Sequence, residues 1–311
     1  MNDGTDSGRS SDRDGRVLIL NPNAGSADHA ERVRQLAAVH GFEVSVTEEA
    51  GDAIDLAREA ATESSLIAAA GGDGTLNEVV RGIVEADALP DVTFGIVPAG
   101  TGNNFAANVG ITDVEQAFDV MEDGDVRPID LGIADGRAFL NSCIGGLTAE
   151  ASASTTAEAK SRFGVLAYVL STLRTAVEFE GVPLHIETGD GSDQGWSGDA
   201  AFVLIGNGRR FPAEGRSQAD MEDGRLDVTV IEDRPAFDLA GEAALARLLG
   251  ADTPSVTRFL AEALSVSVLG DAPGTFSLDG EMTESRRVHV SVRPRVLRIH
   301  VGEAYEPDPD R

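Results

Sequence analysis

Lysine is almost missing from this 311-residue chain: Lys160 is the only one beside 24 arginines. A P-loop needs Gly-Lys followed by Ser or Thr, and Lys160 follows Ala159, so that phosphate-binding device is excluded. Cysteine is as scarce. Cys143 stands alone, which rules out an internal disulfide and any cysteine-based metal cluster. No apolar run reaches the length of about 18 residues needed to span a bilayer. The polar opening MNDGTDSGRSSDRDGR lacks the apolar core of a secretory signal, and residues 1–15 read as a disordered leader. The five histidines show no HxxH or HExxH spacing, and GxSxG is absent, so a histidine-held metal and a nucleophile-elbow hydrolase have no support. Together these features point to the cytoplasm. Positive charge is short too, with 53 acidic residues against 25 basic ones and a net charge of −28. No basic stripe is present to neutralise phosphates, so nucleic acid is not an expected partner. Acid excess with lysine nearly eliminated is the expectation for life in molar salt, where the Debye length shrinks to roughly 3 Å. An acidic partner-binding face is the competing explanation.

What is present divides near residue 130. Before it, continuous apolar strands alternate with amphipathic helices. RVLILNP, FEVSVTE, SLIAAA and VTFGIVP read as strands. Between them, Ser26 to Gly41, 52–63 and 76–86 read as helices, with a shorter one at 113–122. That alternation predicts a parallel, doubly wound sheet over 16–130. Beyond it, short alternating segments separated by turns such as Asp135-Gly136 and Asp223-Gly224 read as antiparallel β structure over 131–294. Two helical stretches, 163–179 and 237–250, interrupt it. The first either lines an apolar cleft or lies in the core. The predicted class is α/β plus β: a Rossmann-like domain followed by a β-rich, sandwich-like one.

Three strand ends in the first half carry Gly/Asn-rich turns: Asn21-Pro22-Asn23-Ala24-Gly25, Gly71-Gly72-Asp73-Gly74-Thr75 and Gly100-Thr101-Gly102-Asn103-Asn104. Ligands of open parallel sheets bind outside the carboxyl ends of the strands. Backbone N–H groups and helix N-termini gathered there suit polyphosphate, and glycine lets the backbone come close. No complete GxGxxG exists, because Asn77 and Phe105 occupy the third glycine positions. Phosphate charge must therefore be met by Mg²⁺, dipoles or arginine. Asp73 is the candidate for holding hydrated Mg²⁺ beside the phosphates. A turn aspartate or helix cap fits its position equally well.

The ordered set NPNAG, GGDGTLNEVV, VPAGTGNNFA, IDLG (129–132), FLNSCIGG (139–146), MEDGRLDV (221–228) and SLDGE (277–281) resembles the diacylglycerol kinase catalytic-domain family, which includes sphingosine kinases. The resemblance covers roughly 16–302. It implies an active-site cleft between the two domains, with the segment 295–302 returning to the first. It also implies ATP at Asn21, Thr47, the 71–77 loop and Thr101, with Asn77 and Glu78 reaching ribose or water around Mg²⁺. Glu281 matches the family's proposed general base, with Asp279 beside it, and Asp73 competes for that role. Asp130 would complete a network with Asn103 and Asp73. The MEDGRLDV segment would hold a second Mg²⁺ through Asp223, with main-chain oxygen from Asp220 and Arg225; a plain Asp-Gly turn is the alternative. The implied reaction is ATP- and Mg²⁺-dependent phosphorylation of a lipid hydroxyl, with transient membrane contact. An NAD kinase and a catalytically silent nucleotide-binding protein are the rivals, and pairing as a homodimer stays open. Two departures stand out. Asn104 sits where an acid is commoner, and NGRRFPAEGR (207–216) brings Arg209, Arg210 and Arg216 into an acidic chain. One of these arginines is expected to meet a phosphate of substrate or ATP, unless all three pair with surface acids.

Overall fold

The computed structural model describes residues 15–25, 29–147, 181–189, 195–211, 217–233 and 256–309. The expected helices at 163–179 and 237–250, the Ser26 cap and Arg216 lie outside these residues. The first apolar runs form β1 (Gly15–Leu20), β2 (Glu43–Val46), β3 (Ser64–Gly71) and β4 (Thr93–Pro98). They lie parallel in the order β2-β1-β3-β4. Leu18, Ile19, Leu20, Ala68, Ala69 and Ala70 are fully buried, as strands covered on both faces require.

The crossovers are α1 (His29–Val39), α2 (Asp52–Ala60) and α3 (Asp73–Glu85), followed by α4 (Asn104–Asn108) and α5 (Val114–Asp123). The chain steps from β1 outward to β2, then back across β1 to β3. Right-handed crossovers therefore place α1 on one face and α2 with α3 on the other. α2 and α3 pack closely because Gly82 has no side chain: a Cβ there would lie 2.3 Å from the Ile54 carbonyl oxygen. The reversal of direction puts the topological switch point between β1 and β3. One boundary differs from expectation. α3 begins at Asp73, so Asp73, Gly74 and Thr75 form its first turn instead of a free loop.

The second half is antiparallel. β5 (Asp125–Ala134), β6 (Arg137–Phe139), β7 (Ser142–Leu147), β8 (Val182–Thr188) and β9 (Trp196–Gly206) are followed by β10 (Leu226–Glu232), β11 (Val256–Ala261), β12 (Ala263–Val268), β13 (Gly274–Leu278) and β14 (Glu281–Ser285). The order β14-β13-β7-β9-β8-β12 surrounds an apolar core that includes Phe139, Phe276, Ile205, Val230 and Val266. This is a sandwich-like β domain beside the α/β domain. Asp135-Gly136 joins β5 to β6, and Asp279-Gly280 joins β13 to β14, both residues of each pair having positive φ. Those are two-residue hairpins of the kind that match strand twist. Asp223-Gly224 is not one: it precedes β10, and only Gly224 has positive φ, at 75°.

The last strand, β15 (Arg287–Val301), ties the halves together. Its first part pairs with β12, and its later part pairs in parallel with β4 through Arg298 and Ile299. β5 runs antiparallel to it over most of that length, with a register shift between Arg293 and Leu297. Arg295 takes φ 50° in that irregularity, and its N–H donates to Asp130 Oδ1 at 2.7 Å. Among the described residues, no helix is long and apolar enough to cross a membrane.

Candidate active site

The carboxyl ends of β1, β2, β3 and β4 open onto a cleft of about 560 Å³ whose far wall comes from the β domain. Glycine brings the three turns together. A Cβ on Gly100 would stand 2.3 Å from Gly72 Cα, and one on Gly25, whose φ is 58°, would stand 2.4 Å from the Ala99 oxygen. The Ala99 and Gly100 N–H groups both donate to the Gly71 carbonyl, at 2.9 and 3.1 Å. Asn21 Nδ2 donates to Thr75 Oγ1 at 3.1 Å, linking the first turn to the second. The N-cap of α3, Gly72, supplies no side-chain cap, so the helix presents its positive end to the cleft. Thr47 follows the end of β2 on the same rim, its N–H donating to Leu20 O at 3.0 Å.

Asp73 borders the cleft, yet its carboxylate is already engaged. It accepts the N–H of Asn104 at 3.0 Å, the Asn104 side-chain amide at 3.1 Å and the N–H of Phe105 at 2.9 Å. It therefore caps α4 from a distant part of the sequence. This arrangement also gives Asn104 a physical reason. A carboxylate at that position would replace a donor by a second negative charge against Asp73. Asn103 has φ 43° and closes on Gly100, accepting its N–H and donating to its carbonyl, each at 2.9 Å. It shapes the third turn and does not border the cleft; nor do Pro22, Gly71 and Asn77.

Asp130 is not part of this network. It is fully buried and accepts the N–H of Gly224 and of Arg295, both at 2.7 Å, so it fastens the 220s turn to the irregularity in β15. The acid at the domain junction is Asp279. Its carboxylate accepts the N–H of Leu140 at 2.6 Å, Asn141 at 3.0 Å and Ser142 at 2.8 Å, and the Asn77 amide at 2.8 Å. Asn77 thus joins α3 to the β domain. Burial pushes the Asp279 carboxyl up to about 6, against the pull of those backbone N–H groups and with help from the Asp73 charge. Glu78 borders the cleft, accepts Gly51 N–H at 3.2 Å, and is shifted upward chiefly by burial, with the charge of Glu281 adding to it.

Glu281 is exposed and does not itself border the cleft, although its neighbours Gly280 and Met282 do. Arg137 and Arg81 both pair with it, the latter at 3.4 Å. The loop of Asp220, Asp223 and Arg225 lies outside the cleft. Asp220 accepts Glu222 N–H at 2.9 Å, and Asp223 accepts Arg225 N–H at 2.8 Å. Burial raises the Asp223 carboxyl, and the nearby Asp220 charge raises it further. Arg209 and Arg210 part company. Arg209 enters the cleft, whereas Arg210 acts on half-buried Asp227, whose carboxyl desolvation pushes up to about 6. Sequence reasoning missed Asn141, Ser142 and Ser277 as cleft residues and saw Asp279 only as a neighbour of Glu281. The FLNS and SLDGE segments carried the signal, but nothing local shows that two strands far apart in sequence meet there.

The parallel sheet in the order β2-β1-β3-β4 thus turns its glycine-lined switch point toward the sandwich-like β domain. Residues 16–134 match the family described as "Diacylglycerol kinase catalytic domain", and residues 142–301 match the "YegS C-terminal NAD kinase beta sandwich-like domain". A "Probable lipid kinase YegS-like" of Pseudomonas aeruginosa is 34% identical over 300 residues, covering 93% of this chain and 95% of that protein. A "Diacylglycerol kinase" of Bacillus subtilis is 39% identical over 178 residues, covering 55% of this chain and 58% of that protein. The crystal structure of a putative diacylglycerol kinase from Bacillus anthracis aligns with TM-score 0.78 and 26% identity over 94% of this chain and 98% of that one. The chain belongs to the diacylglycerol kinase catalytic-domain family, in its YegS-like lipid kinase branch.

Proposed function

We propose that the protein transfers the γ-phosphoryl group of ATP to a hydroxyl of a lipid or lipid-like alcohol. The observation that carries this reading is the cleft itself, where three backbone-lined turns and the uncapped start of α3 face the Asp279 wall. The acceptor oxygen forms its bond to the γ-phosphorus as the bond to the β,γ-bridging oxygen breaks. ADP leaves, and the hydroxyl proton passes to a carboxylate. Glu281 is the proposed acceptor of that proton on the family resemblance alone; its carboxylate is held by Arg81 and Arg137, as that of Asp73 is held by N–H groups. Asp73 would instead orient α4 and the nearby phosphates.

Mg²⁺ takes hard oxygen donors and keeps several waters. The Asp223 carboxylate, which spends one oxygen on a backbone N–H, would hold such an ion with main-chain oxygen from Asp220 and Arg225; no cluster of three or more acidic, histidine or cysteine side chains suited to a metal occurs among the described residues. Asp73 is the carboxylate placed to meet a nucleotide-bound ion through water. Bound with the triphosphate, Mg²⁺ offsets charge on the transferring group.

Labelled ATP incubated with a total lipid extract and, separately, with NAD tests the reading; label in NADP instead of phospholipid would overturn it. Glu281→Gln is expected to lower kcat roughly 10²- to 10⁴-fold with ATP binding retained. Asp73→Asn is expected to weaken ATP binding as well. Equal ATP turnover by Glu281→Gln and wild type across a panel of alcohols would favour a silent nucleotide-binding protein.

The charge of −28 supports the high-salt reading, under which contact with an anionic membrane face would require salt to screen repulsion. Thermal midpoints are expected to rise steadily from about 0.1 M to about 3 M KCl as that screening strengthens. A flat profile would remove the high-salt reading.

A further inference from the structure

Five carboxylates border the cleft, from Glu48, Glu49, Asp73, Glu78 and Asp279, and among the described residues Arg209 is the single basic side chain that does. Its placement is fixed by backbone. Gly208 N–H donates to Leu140 O at 2.8 Å, and Asn207 N–H donates to Asn141 O at 2.9 Å. A Cβ on Gly208 would press to 2.8 Å on that same Leu140 oxygen. The turn that carries Arg209 is thus bolted to the segment whose N–H groups hold Asp279. Its guanidinium lies 5.8 Å from the centre of the Phe211 ring. No carboxylate among the described residues pairs with it, although the chain has 53 acids. Asp73 is the acid whose charge it feels, which sets it near the turn after β3.

A second observation coincides with the first. Buried side-chain polar atoms nearly always find a partner, and one that does not asks for an absent group. Asn141 Oδ1, Arg209 Nε and Ser277 Oγ have none among the described residues, and all three residues border this cleft. Asn141 is 7% and Ser277 1% exposed, so water does not readily supply the missing bonds. Two of the three atoms belong to donors. Donors left open on the β-domain wall, opposite turns suited to polyphosphate, ask for an anionic oxygen at the junction.

We propose that Arg209, assisted by Ser277, binds the terminal phosphoryl group of the nucleotide and so takes the place of the P-loop lysine this chain lacks. The proposal rests on the kinase reading above and assigns the cation that reading needs. The guanidinium supplies a charge-assisted, fork-shaped pair of donors to phosphate oxygens. The Ser277 hydroxyl donates to a further oxygen, and Asn141 Oδ1 is left to accept from a hydroxyl or water beside it. Because Arg209 comes from the β domain, terminal-phosphate binding draws the two walls together, and a nucleotide lacking that phosphate leaves Arg209 without a ligand.

Calorimetry with Mg²⁺ and ATP, ADP or AMP, at one fixed salt concentration, separates the possibilities. Arg209→Met is expected to weaken ATP binding roughly ten- to a hundredfold while ADP and AMP binding change little. Ser277→Ala should act in the same direction by roughly three- to tenfold, and Arg209→Lys should recover part of the loss. Thermal melts of each variant show whether the fold is kept, and Ser277→Ala and Arg209→Lys carry the test if Arg209→Met melts early. Unchanged ATP binding in Arg209→Met, or equal losses for all three nucleotides, would overturn the assignment and leave the kinase reading standing. A rise confined to the KM of the lipid acceptor would also overturn it, by moving the arginine to an acceptor phosphate. Wild-type protein that binds no nucleotide would overturn both.

Discussion

Asp279→Ala is expected to lower stability by on the order of 3–5 kcal/mol and to abolish activity, the largest loss from any single change at the site. The carboxylate gathers three consecutive backbone N–H groups and the Asn77 amide, joining α3 to the start of β7. Alanine leaves all four donors without that partner at the cleft wall. Urea melts of wild type and variant measure the difference, and a loss under about 1 kcal/mol would show that the junction repacks without the acid. The same group makes a prediction in pH. Burial holds its carboxyl at about 6 in the folded protein, above an unfolded value of about 3.9. Between those values the native state keeps a proton that the unfolded chain releases. The contribution of this group is therefore full below the unfolded value and declines as pH rises through the folded one. Asp279→Asn has no proton to lose. The stability difference between wild type and Asp279→Asn should accordingly shift against wild type across that window. A difference constant with pH would remove the perturbed carboxyl.

Gly100→Ala is expected to cost nucleotide binding at least tenfold with a smaller effect on folding, on the order of 1–3 kcal/mol. Its methyl group would sit 2.3 Å from Gly72 Cα and 2.9 Å from Asn103 Oδ1. Gly72 Cα is backbone at the start of α3 and cannot rotate away, so the second and third turns must separate. The helix N-terminus then no longer faces the same point as the third turn. ATP titration of the purified variant, with circular dichroism as a control, measures this. Wild-type affinity would mean that the turns act independently.

How much of this was legible beforehand depended on whether the signal was local. β1, β3 and β4 are continuous apolar runs, so the pattern of apolar residues sufficed to place them. The glycines of the three turns announced close backbone approach, and those turns do meet at one cleft. Asp73 shows the limit. An acid in a glycine turn suggests a metal or its own helix cap, and the structure has it capping α4, a different helix, across the sheet edge. Asp130 was drawn toward Asp73 by analogy but went to Gly224 and Arg295 instead. Its partners are N–H groups, which every residue type carries and no pattern marks. Asp279 and Arg209 acquire their surroundings only when segments far apart in sequence come together, so their importance could not be read locally.

β15 has a consequence for biosynthesis. The sheet of the first domain is closed beside β4 by residues near Arg298, which leave the ribosome after every other strand described here. Until they arrive, β4 presents an unsatisfied edge of the kind that invites pairing with other chains. Vectorial folding cannot finish the amino-terminal half first. The nascent chain must carry an incomplete layer through most of translation.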